Sequence, residues 1–341
     1  MTTKEVLGFV RPHLLNLQPY SSARDEFDQS NVGSEPYVYL DANENPFDTG
    51  YNRYPDPHQR ELKKLISGIK GVNEDQIFLG NGSDEAIDLI IRLFCSENDT
   101  IVIPYPTYGM YEVSAKINNV KLKKSILDEN FNLTNIDFNE KVIFLCSPNN
   151  PTGNLIDVQS VLDQAKGIVV VDEAYIDFSS KPGFMKQLDH YPNLIIMQTF
   201  SKAWGLAGLR LGMAFASTEL ISLLNKIKPP YNISAATQHI ALKALRKADE
   251  VGPWVSLIKS ERERVAKEFG KLTSVKKVFP SEANFLLVRI HRAGEVYKKL
   301  INDRIVVRDR SSVVRCEDCL RITIGSPEEN NKLIEAVRRS L

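Results

Sequence analysis

The sequence is poor in cysteine, in long apolar runs and in net charge. Four cysteines among 341 residues are too few for a disulfide scaffold of this size. No apolar run approaches the roughly 20 residues that a membrane-spanning helix needs, and the first five residues lack the apolar stretch of a signal peptide. The 43 Lys and Arg residues balance 43 Asp and Glu residues, so no overall field favours nucleic acid or an anionic membrane. We therefore expect a cytoplasmic protein that binds small ligands, and neither nucleic acid nor membrane.

The cysteines also bear on metal binding. Cys316 and Cys319 have the spacing of a metal-binding or redox pair. No second pair and no nearby histidine completes a zinc site, while Cys95 and Cys146 lie in apolar segments typical of buried thiols. The sequence predicts no metal site, and the role of the Cys316 and Cys319 pair stays open.

What the sequence does contain is an ordinary globular composition, with 43% hydrophobic and 25% charged residues. Strand-like runs alternate with segments of helical length, which predicts an α/β protein with a mainly parallel sheet and helices on both faces. These runs lie at 101–103, 142–145, 168–171, 194–197 and 211–216. We expect an N-terminal arm at 1–28 and a large domain at 29–247.

From about residue 248 the pattern changes. A charged amphipathic segment at 256–269 precedes strand-like runs at 284–288, 304–307 and 320–324. This mixture, in which strands no longer alternate regularly with helices, predicts a smaller α+β domain at 248–341.

The most informative stretch is the glycine-rich segment 199–212. It places Lys202 directly after Ser201, with Thr199 just before and Arg210 eight residues later. Lysine forms a Schiff base with an aldehyde, while hydroxyls and a guanidinium hold phosphate oxygens. The combination therefore indicates pyridoxal phosphate. A Ser-Lys pair alone is more often a solvated lysine in a loop, so the assignment depends on its context.

That context offers an acid for the pyridinium nitrogen and two partners for the ring's phenolic oxygen. Asp172 follows the β-branched run 168–171, at the strand end where open α/β sheets bind ligands. We expect it to stay ionised, because the cation that it faces favours the charged form. Asn150 and Tyr175 follow strand-like runs in the same way and can reach the phenolic oxygen.

An aromatic platform and a phosphate cradle are present as well. Tyr108, beside Gly109, can lie flat on the ring, although core filling is the common role of a tyrosine. A glycine loop at 80–84 leads into a segment of helical periodicity at 85–94, which Ser83 or Asp84 would cap. A helix N-terminus of this kind binds anions, but the same loop is also a common tight turn.

Taken together, these stretches resemble the fold type I pyridoxal-phosphate-dependent aminotransferases. The resemblance rests on Asn-Pro-Thr-Gly at 150–153, Asp-Glu-Ala-Tyr at 172–175 and Ser-Lys at 201–202 with Arg210 downstream. Segments 40–46, 53–57, 82–85 and 106–110 and the C-terminal arginines resemble the histidinol-phosphate aminotransferase branch of that family. The match extends from residue 19 to residue 325.

The resemblance implies residue roles. Lys202 would be the Schiff-base lysine and, with Asp172 at the ring nitrogen and Tyr175 at the phenolic oxygen, would form the catalytic set. Tyr108 would stack on the ring, and Asn150 would share the phenolic oxygen with Tyr175. The phosphate would be surrounded by Ser83, Asp84, Glu85, Thr199, Ser201 and Arg210. The anionic end of the substrate would be held by Tyr20, Asn284, Arg308 and Arg321. Arg310 and Arg315 have no assigned role.

The resemblance also implies a homodimer with shared active sites, in which Tyr54 reaches the cofactor of the partner subunit. The implied reaction is transamination of L-histidinol phosphate with 2-oxoglutarate, which gives imidazole-acetol phosphate and L-glutamate. An aromatic-amino-acid aminotransferase or a phospho-amino-acid decarboxylase is the nearest alternative. A regulator that binds the cofactor without catalysis is more remote, because the N-terminal arm has no room for a DNA-binding module.

Overall fold

The computed structural model describes residues 1–19 and 38–340. Its centre is a seven-stranded sheet in the order β1-β7-β6-β5-β4-β2-β3. The strands are β1 (Ile77–Asn81), β2 (Thr100–Tyr105), β3 (Lys121–Ile126), β4 (Val142–Cys146), β5 (Ile168–Asp172), β6 (Leu194–Thr199) and β7 (Leu211–Phe215). Strand β7 pairs antiparallel with both of its neighbours, and the other pairings are parallel. The predicted α/β class with a mainly parallel sheet is confirmed.

Strand residues alternate between two cores on opposite faces of this sheet. Leu145 and Val171 belong to one cluster of buried side chains, whereas Phe144 and Val170 belong to another. Burial on both faces explains why these strands read as continuous apolar runs. The helices are α1 (Thr3–Leu7), α2 (Pro12–Leu15), α3 (Arg60–Lys70), α4 (Gly82–Phe94), α5 (Met110–Ile117), α6 (Val158–Gln164), α7 (Thr218–Ile227), α8 (Ala235–Leu245), α9 (Val251–Phe269), α10 (Ala293–Asn302) and α11 (Pro327–Arg339).

A second, antiparallel sheet lies in the C-terminal part of the chain. It has the order β10-β11-β9-β8, built from β8 (Val275–Val278), β9 (Phe285–Ile290), β10 (Arg308–Asp309) and β11 (Cys319–Thr323). One face packs in a cluster that includes residues of α9, α10 and α11, and the other face contributes Phe285, Leu287 and Cys319 to a core of the large sheet. The small sheet is thereby fixed against the large one.

Three strands, β1, β3 and β8, were missed, and one strand prediction was wrong. Strand β1 has only three apolar residues before its glycine and asparagine, and β3 and β8 are rich in lysine and largely exposed. The predicted strand at 304–307 is irregular, because pairing with β11 begins only at Arg308 and Val306 is 80% exposed. Its β-branched residues Ile305 and Val307 instead pack against the small-sheet core.

The predicted N-terminal arm lies over the large sheet's helices. Val6 and Val10 are buried in the same cluster as α4, and the Arg11 backbone N–H donates to the Leu93 carbonyl at 3.0 Å. The boundary at residue 28 falls outside the described residues, and the domain limits remain predictions. Among the described residues, no helix is long and apolar enough to cross a membrane.

Candidate active site

A cavity of about 640 Å³ opens where three neighbouring strands of the large sheet end. Cys146, Asp172 and Thr199 are the last residues of β4, β5 and β6, and all three line it. The opposite wall comes from the small sheet, through Arg308 and Arg321. The cavity therefore lies at the carboxyl edge of a parallel sheet, the position at which open α/β proteins bind ligands.

Lys202 lies in the turn that follows β6 and lines this cavity. Its Nζ atom is 5.6 Å from the centre of the Tyr175 ring. Burial lowers the pKa of Lys202, and the nearby Arg321 guanidinium lowers it further. The neutral amine, which is the nucleophilic and basic form, is thereby favoured.

Asp172 is 2% exposed and accepts two hydrogen bonds. The Tyr111 hydroxyl donates at 2.7 Å and the Ala174 backbone N–H donates at 3.0 Å. Burial raises the pKa of Asp172, and these two donors oppose that rise. The ionised form expected of Asp172 thus depends on its donors and on any cation placed against it. That state remains a prediction.

The sequence did not point to Tyr111. It lies in the first turns of α5, fully buried, with its ring stacked 5.0 Å from that of Phe144. In the sequence Tyr111 resembles any tyrosine on the buried face of a helix, so no local pattern marks it as the partner of a carboxylate.

Replacing Tyr111 with phenylalanine removes one of the donors that hold the pKa of Asp172 down. Because the predicted role of Asp172 needs its ionised form, we expect kcat/KM to fall several-fold at neutral pH and its acidic limb to move to higher pH. Tyr105→Phe, a change outside the cavity wall, is the matched control. An unchanged pH profile in Tyr111→Phe would contradict this role.

Tyr108 also lines the cavity, and its orientation is fixed from two sides. Its hydroxyl donates to Asp84 Oδ1 at 3.0 Å, and its ring meets that of Tyr111 edge to face at 5.6 Å. The ring therefore stands above the Asp172 end of the cavity as a supported aromatic wall.

Another part of the cavity wall is built from the N-terminus of helix α4 and from Arg210. Helix α4 begins at Gly82 and has no side-chain cap, so the prediction that Ser83 or Asp84 caps it is wrong: both lie in its first turn. The Arg210 guanidinium lies 3.3 Å from Asp84 Oδ2. A Cβ on Gly82, whose φ is +74°, would stand 2.8 Å from Arg210 Nη2. Glycine therefore lets the backbone and the guanidinium share one cradle.

The predicted hydroxyl groups join this part of the wall. Thr199 accepts from the Ser201 backbone N–H at 3.1 Å, and its own hydroxyl donates to Ser201 Oγ at 3.0 Å. Both residues line the cavity with Ser83, Asp84 and Arg210. Uncapped helix N–H groups, the Ser201 hydroxyl, which Thr199 supports, and a guanidinium are a donor set that suits a phosphate.

Three predicted residues do not line the cavity. Glu85 turns its carboxylate toward the Asn81 backbone N–H and the Asn232 amide, so it anchors the glycine loop from behind. Tyr54 is 51% exposed and stacks on Tyr231 with ring centres 4.6 Å apart. Asn284 accepts the Ile324 N–H through its backbone carbonyl. Tyr20 lies outside the described residues, and the roles of all four remain predictions.

Asn150 connects the two halves of the cavity. Its Nδ2 donates to the Tyr175 hydroxyl at 3.3 Å, and its Oδ1 accepts from Arg321 Nη1. Since the Tyr175 oxygen acts as acceptor there, its own O–H can donate into the cavity. This arrangement suits a phenolate oxygen between Asn150 and Tyr175.

Arg308 and Arg321 lie directly opposite each other where β10 pairs with β11. The strand pairing therefore brings two arginine side chains next to each other. Arg310, left without a role by the sequence, lines the cavity with them. The neighbouring Cys316 and Cys319 are free and buried, and burial raises the pKa of Cys316 to about 12. The part of the chain described here contains no cluster of three potential metal-binding side chains.

These groups fit pyridoxal phosphate. An amine, a buried carboxylate, an aromatic wall and a phosphate cradle lie around one cavity, which matches the aldehyde, ring nitrogen, ring face and phosphate of that molecule.

Comparison with known proteins agrees with this fit. The family model "Aminotransferase class I and II" matches residues 37–337. The histidinol-phosphate aminotransferase of Parabacteroides distasonis is 52% identical, over 98% of this chain and 99% of its own. The crystal structure of the Clostridium acetobutylicum histidinol-phosphate aminotransferase matches with a TM-score of 0.77 and 29% identity, over 85% of this chain and 91% of its own.

A third match carries the cofactor. The Sinorhizobium meliloti histidinol-phosphate aminotransferase, crystallised with pyridoxal-5'-phosphate, gives a TM-score of 0.75 at 23% identity, over 84% of this chain and 82% of that one. At that identity the likeness establishes the fold alone. With the family model and the curated relative, the chain belongs to the aminotransferase class I and II family, as a pyridoxal-phosphate-dependent enzyme of its histidinol-phosphate aminotransferase branch.

Proposed function

We propose that this enzyme transfers the amino group of L-histidinol phosphate to 2-oxoglutarate, giving imidazole-acetol phosphate and L-glutamate in histidine biosynthesis. The observation that carries the proposal is the arginine pair Arg308 and Arg321 in the cavity wall that faces Lys202. Two adjacent guanidinium groups repel each other unless an anion lies between them, and a phosphate ester is such an anion. The histidinol-phosphate aminotransferase of Parabacteroides distasonis, 52% identical to this chain, supports the choice of substrate.

Each of these cavity residues has a separate role in the proposed reaction. When bound, pyridoxal phosphate supplies the carbonyl that takes up the amino group and a ring that withdraws electrons. Lys202 carries the proton from the substrate Cα as general base. Asp172 holds the proton of the ring nitrogen, while Asn150 and Tyr175 hold the phenolic oxygen. Arg210 and the first turn of α4 hold the cofactor phosphate.

A substrate panel tests the proposal. The purified holoenzyme is incubated with 2-oxoglutarate and either L-histidinol phosphate, L-phenylalanine or L-threonine phosphate, and glutamate and carbon dioxide are measured. We expect glutamate chiefly with L-histidinol phosphate. Preference for phenylalanine would indicate an aromatic-amino-acid aminotransferase. Release of carbon dioxide from threonine phosphate would indicate a decarboxylase. If no substrate is turned over, the protein would be a regulator.

We also propose that two subunits share each active site. The support is the segment that contains Tyr54, because it exposes large apolar side chains: Val38 is 82% exposed, Leu40 87% and Phe47 78%. Apolar side chains clustered in this way are typical of a surface that another protein covers. A second copy of the chain, related by two-fold symmetry, would bring Tyr54 to the partner's cofactor.

Mixing two impaired variants tests this arrangement. Lys202→Ala and Tyr54→Phe subunits should exchange to give heterodimers with one intact site, which regain up to roughly a quarter of wild-type activity in an equimolar mixture. The matched control is Lys202→Ala mixed with Asp172→Asn, because both residues line the same subunit's cavity and no intact site can form. Equal recovery of activity in the two mixtures would refute shared active sites. So would the absence of any recovery when subunit exchange has been verified.

A cytoplasmic location is proposed on the cysteines. All four are free thiols, as is usual in a reducing compartment. Cell fractionation with an antibody against the protein tests this location.

A further inference from the structure

We propose that Arg310 is a third anion-binding residue of the substrate pocket, which selects a dianionic phosphate ester over ligands of lower charge. This inference rests on the proposed function, since it concerns the substrate of the same site. It assigns a role to an arginine that the sequence singled out without explaining.

The strand geometry brings Arg310 to the same wall as the other two arginines. Arg308 pairs with Arg321 across β10 and β11, and the Arg310 backbone N–H donates to the Cys319 carbonyl at 2.9 Å. The pairing therefore continues by two residues beyond Arg308. Side chains two apart on a strand share a face, and Arg308, Arg310 and Arg321 all line the cavity.

The acidic side chains of this loop have other partners. The Asp309 carboxylate accepts the Ser311 N–H at 2.8 Å, and that of Glu317 accepts the Arg315 N–H at 3.0 Å. Asp318 lies 3.5 Å from Lys276 Nζ. Each carboxylate is thus engaged outside the arginine cluster, which leaves the positive charge of the cavity wall for a ligand.

The Arg310 side chain itself has an unused donor. Its Nε is buried and has no hydrogen-bond partner among the described residues. Burial lowers the pKa of Arg310, and the guanidinium groups of Arg321 and Arg308 lower it further. A guanidinium with an unpaired donor, held in a field of like charge, is unfavourable until an anion in the cavity supplies the countercharge.

A phosphate ester meets these needs better than a carboxylate does. It carries close to two negative charges at neutral pH and has three acceptor oxygens, so it can engage more than two guanidinium groups. Deleting one of three guanidinium groups should therefore weaken the binding of a dianion strongly, and the binding of an uncharged ligand hardly at all.

The matched ligands L-histidinol phosphate and L-histidinol, which differ only in the phosphate, test the inference. Their Kd values for the wild-type and Arg310→Gln holoenzymes are measured through the change in cofactor absorbance. We expect Arg310→Gln to raise the Kd of L-histidinol phosphate by about tenfold or more, or about 1.4 kcal/mol. The Kd of L-histidinol should change less than about twofold on the same scale.

Arg315→Gln is the control, because Arg315 also has a buried Nε without a partner but pairs with Glu129 and does not line the cavity. It should leave both Kd values unchanged. Equal weakening of both ligands by Arg310→Gln would show that the side chain only supports the fold. No weakening of either would also overturn the inference.

Inorganic phosphate separates this inference from the proposed function. In the holoenzyme the cofactor occupies its own phosphate site, so calorimetry with inorganic phosphate reports on the substrate pocket. We expect a higher Kd in Arg310→Gln than in wild type. If wild type does not turn over L-histidinol phosphate but shows this dependence, the proposed function fails while the anion site stands. Phosphate binding that is independent of Arg310 overturns the inference.

Discussion

Replacing Lys202 with alanine should lower kcat by about 10²–10⁴-fold, the range that a positioned general base contributes. The reason is geometric: Lys202 lines the same cavity as Asp172 and the arginines of the small sheet. Its depressed pKa, caused by burial and then by Arg321, favours the neutral form that accepts a proton. Steady-state kinetics with saturating pyridoxal phosphate checks the effect on the chemical step rather than on cofactor loss.

The control is Lys186→Ala, which removes an exposed lysine outside the cavity and should leave kcat unchanged. Borohydride reduction of the wild-type holoenzyme, followed by peptide mapping, should place the pyridoxal label on Lys202. A label on another lysine, or near wild-type kcat in Lys202→Ala, would show that the amine acting on the substrate lies elsewhere.

Replacing Asp172 with asparagine should lower kcat by at least about tenfold while the protein stays folded. A hydrogen bond to a charged group contributes about 1.5–3 kcal/mol, which corresponds to roughly 10- to 100-fold in rate. Asparagine has nearly the same size as aspartate, and its single carbonyl oxygen can still accept from the Ala174 N–H, while its NH2 group can donate to the Tyr111 hydroxyl oxygen in place of the bond that Tyr111 donates in the structure. What it lacks is the anion that keeps the ring nitrogen protonated.

The thermal midpoint and the kcat of Asp172→Asn should be measured together with those of Asp177→Asn. Asp177 lies 3.8 Å from Lys70 and does not line the cavity, so its amide variant should keep full activity. If Asp172→Asn retains near wild-type kcat, the acid of the ring nitrogen has been assigned wrongly. A loss of kcat that only tracks unfolding would support a structural role alone.

Much of the large sheet could be predicted from the sequence, because its buried strands are apolar on both faces. The runs at 168–171 and 194–197 correspond to β5 and β6, and the polar residue that ends each strand lines the cavity. Edge strand β3 could not be found this way, since its lysines face solvent. Hydrophobic periodicity in a sequence reveals buried segments, and an edge strand buries few of its side chains.

The side-chain contacts of the site that could not be predicted from the sequence join segments that are far apart in the chain. Tyr111 reaches Asp172 from 61 positions away, and Arg321 reaches Asn150 from 171 positions away. The orientation of Glu85 toward Asn232 is likewise set by a long-range contact. Local sequence reports local conformation and burial, but only the packed fold decides which polar groups meet.

The β6–β7 hairpin has a consequence for how this enzyme can diverge. Lys202 and Arg210 lie on the same short connection, and a Cβ on Gly212 at its far end would stand 2.3 Å from the Gly82 backbone. The residues to which we assign the chemistry and the cofactor phosphate are thus held together by one rigid segment. The arginine wall belongs to the other sheet, on the short β10 strand and its partner β11. Arg321 is tied to the rest of the site, because it donates to Asn150 and lowers the pKa of Lys202. Within the described part of the chain Arg308 has no such contact with the hairpin, so we expect a lineage that changes its acidic substrate to vary Arg308 before Arg321.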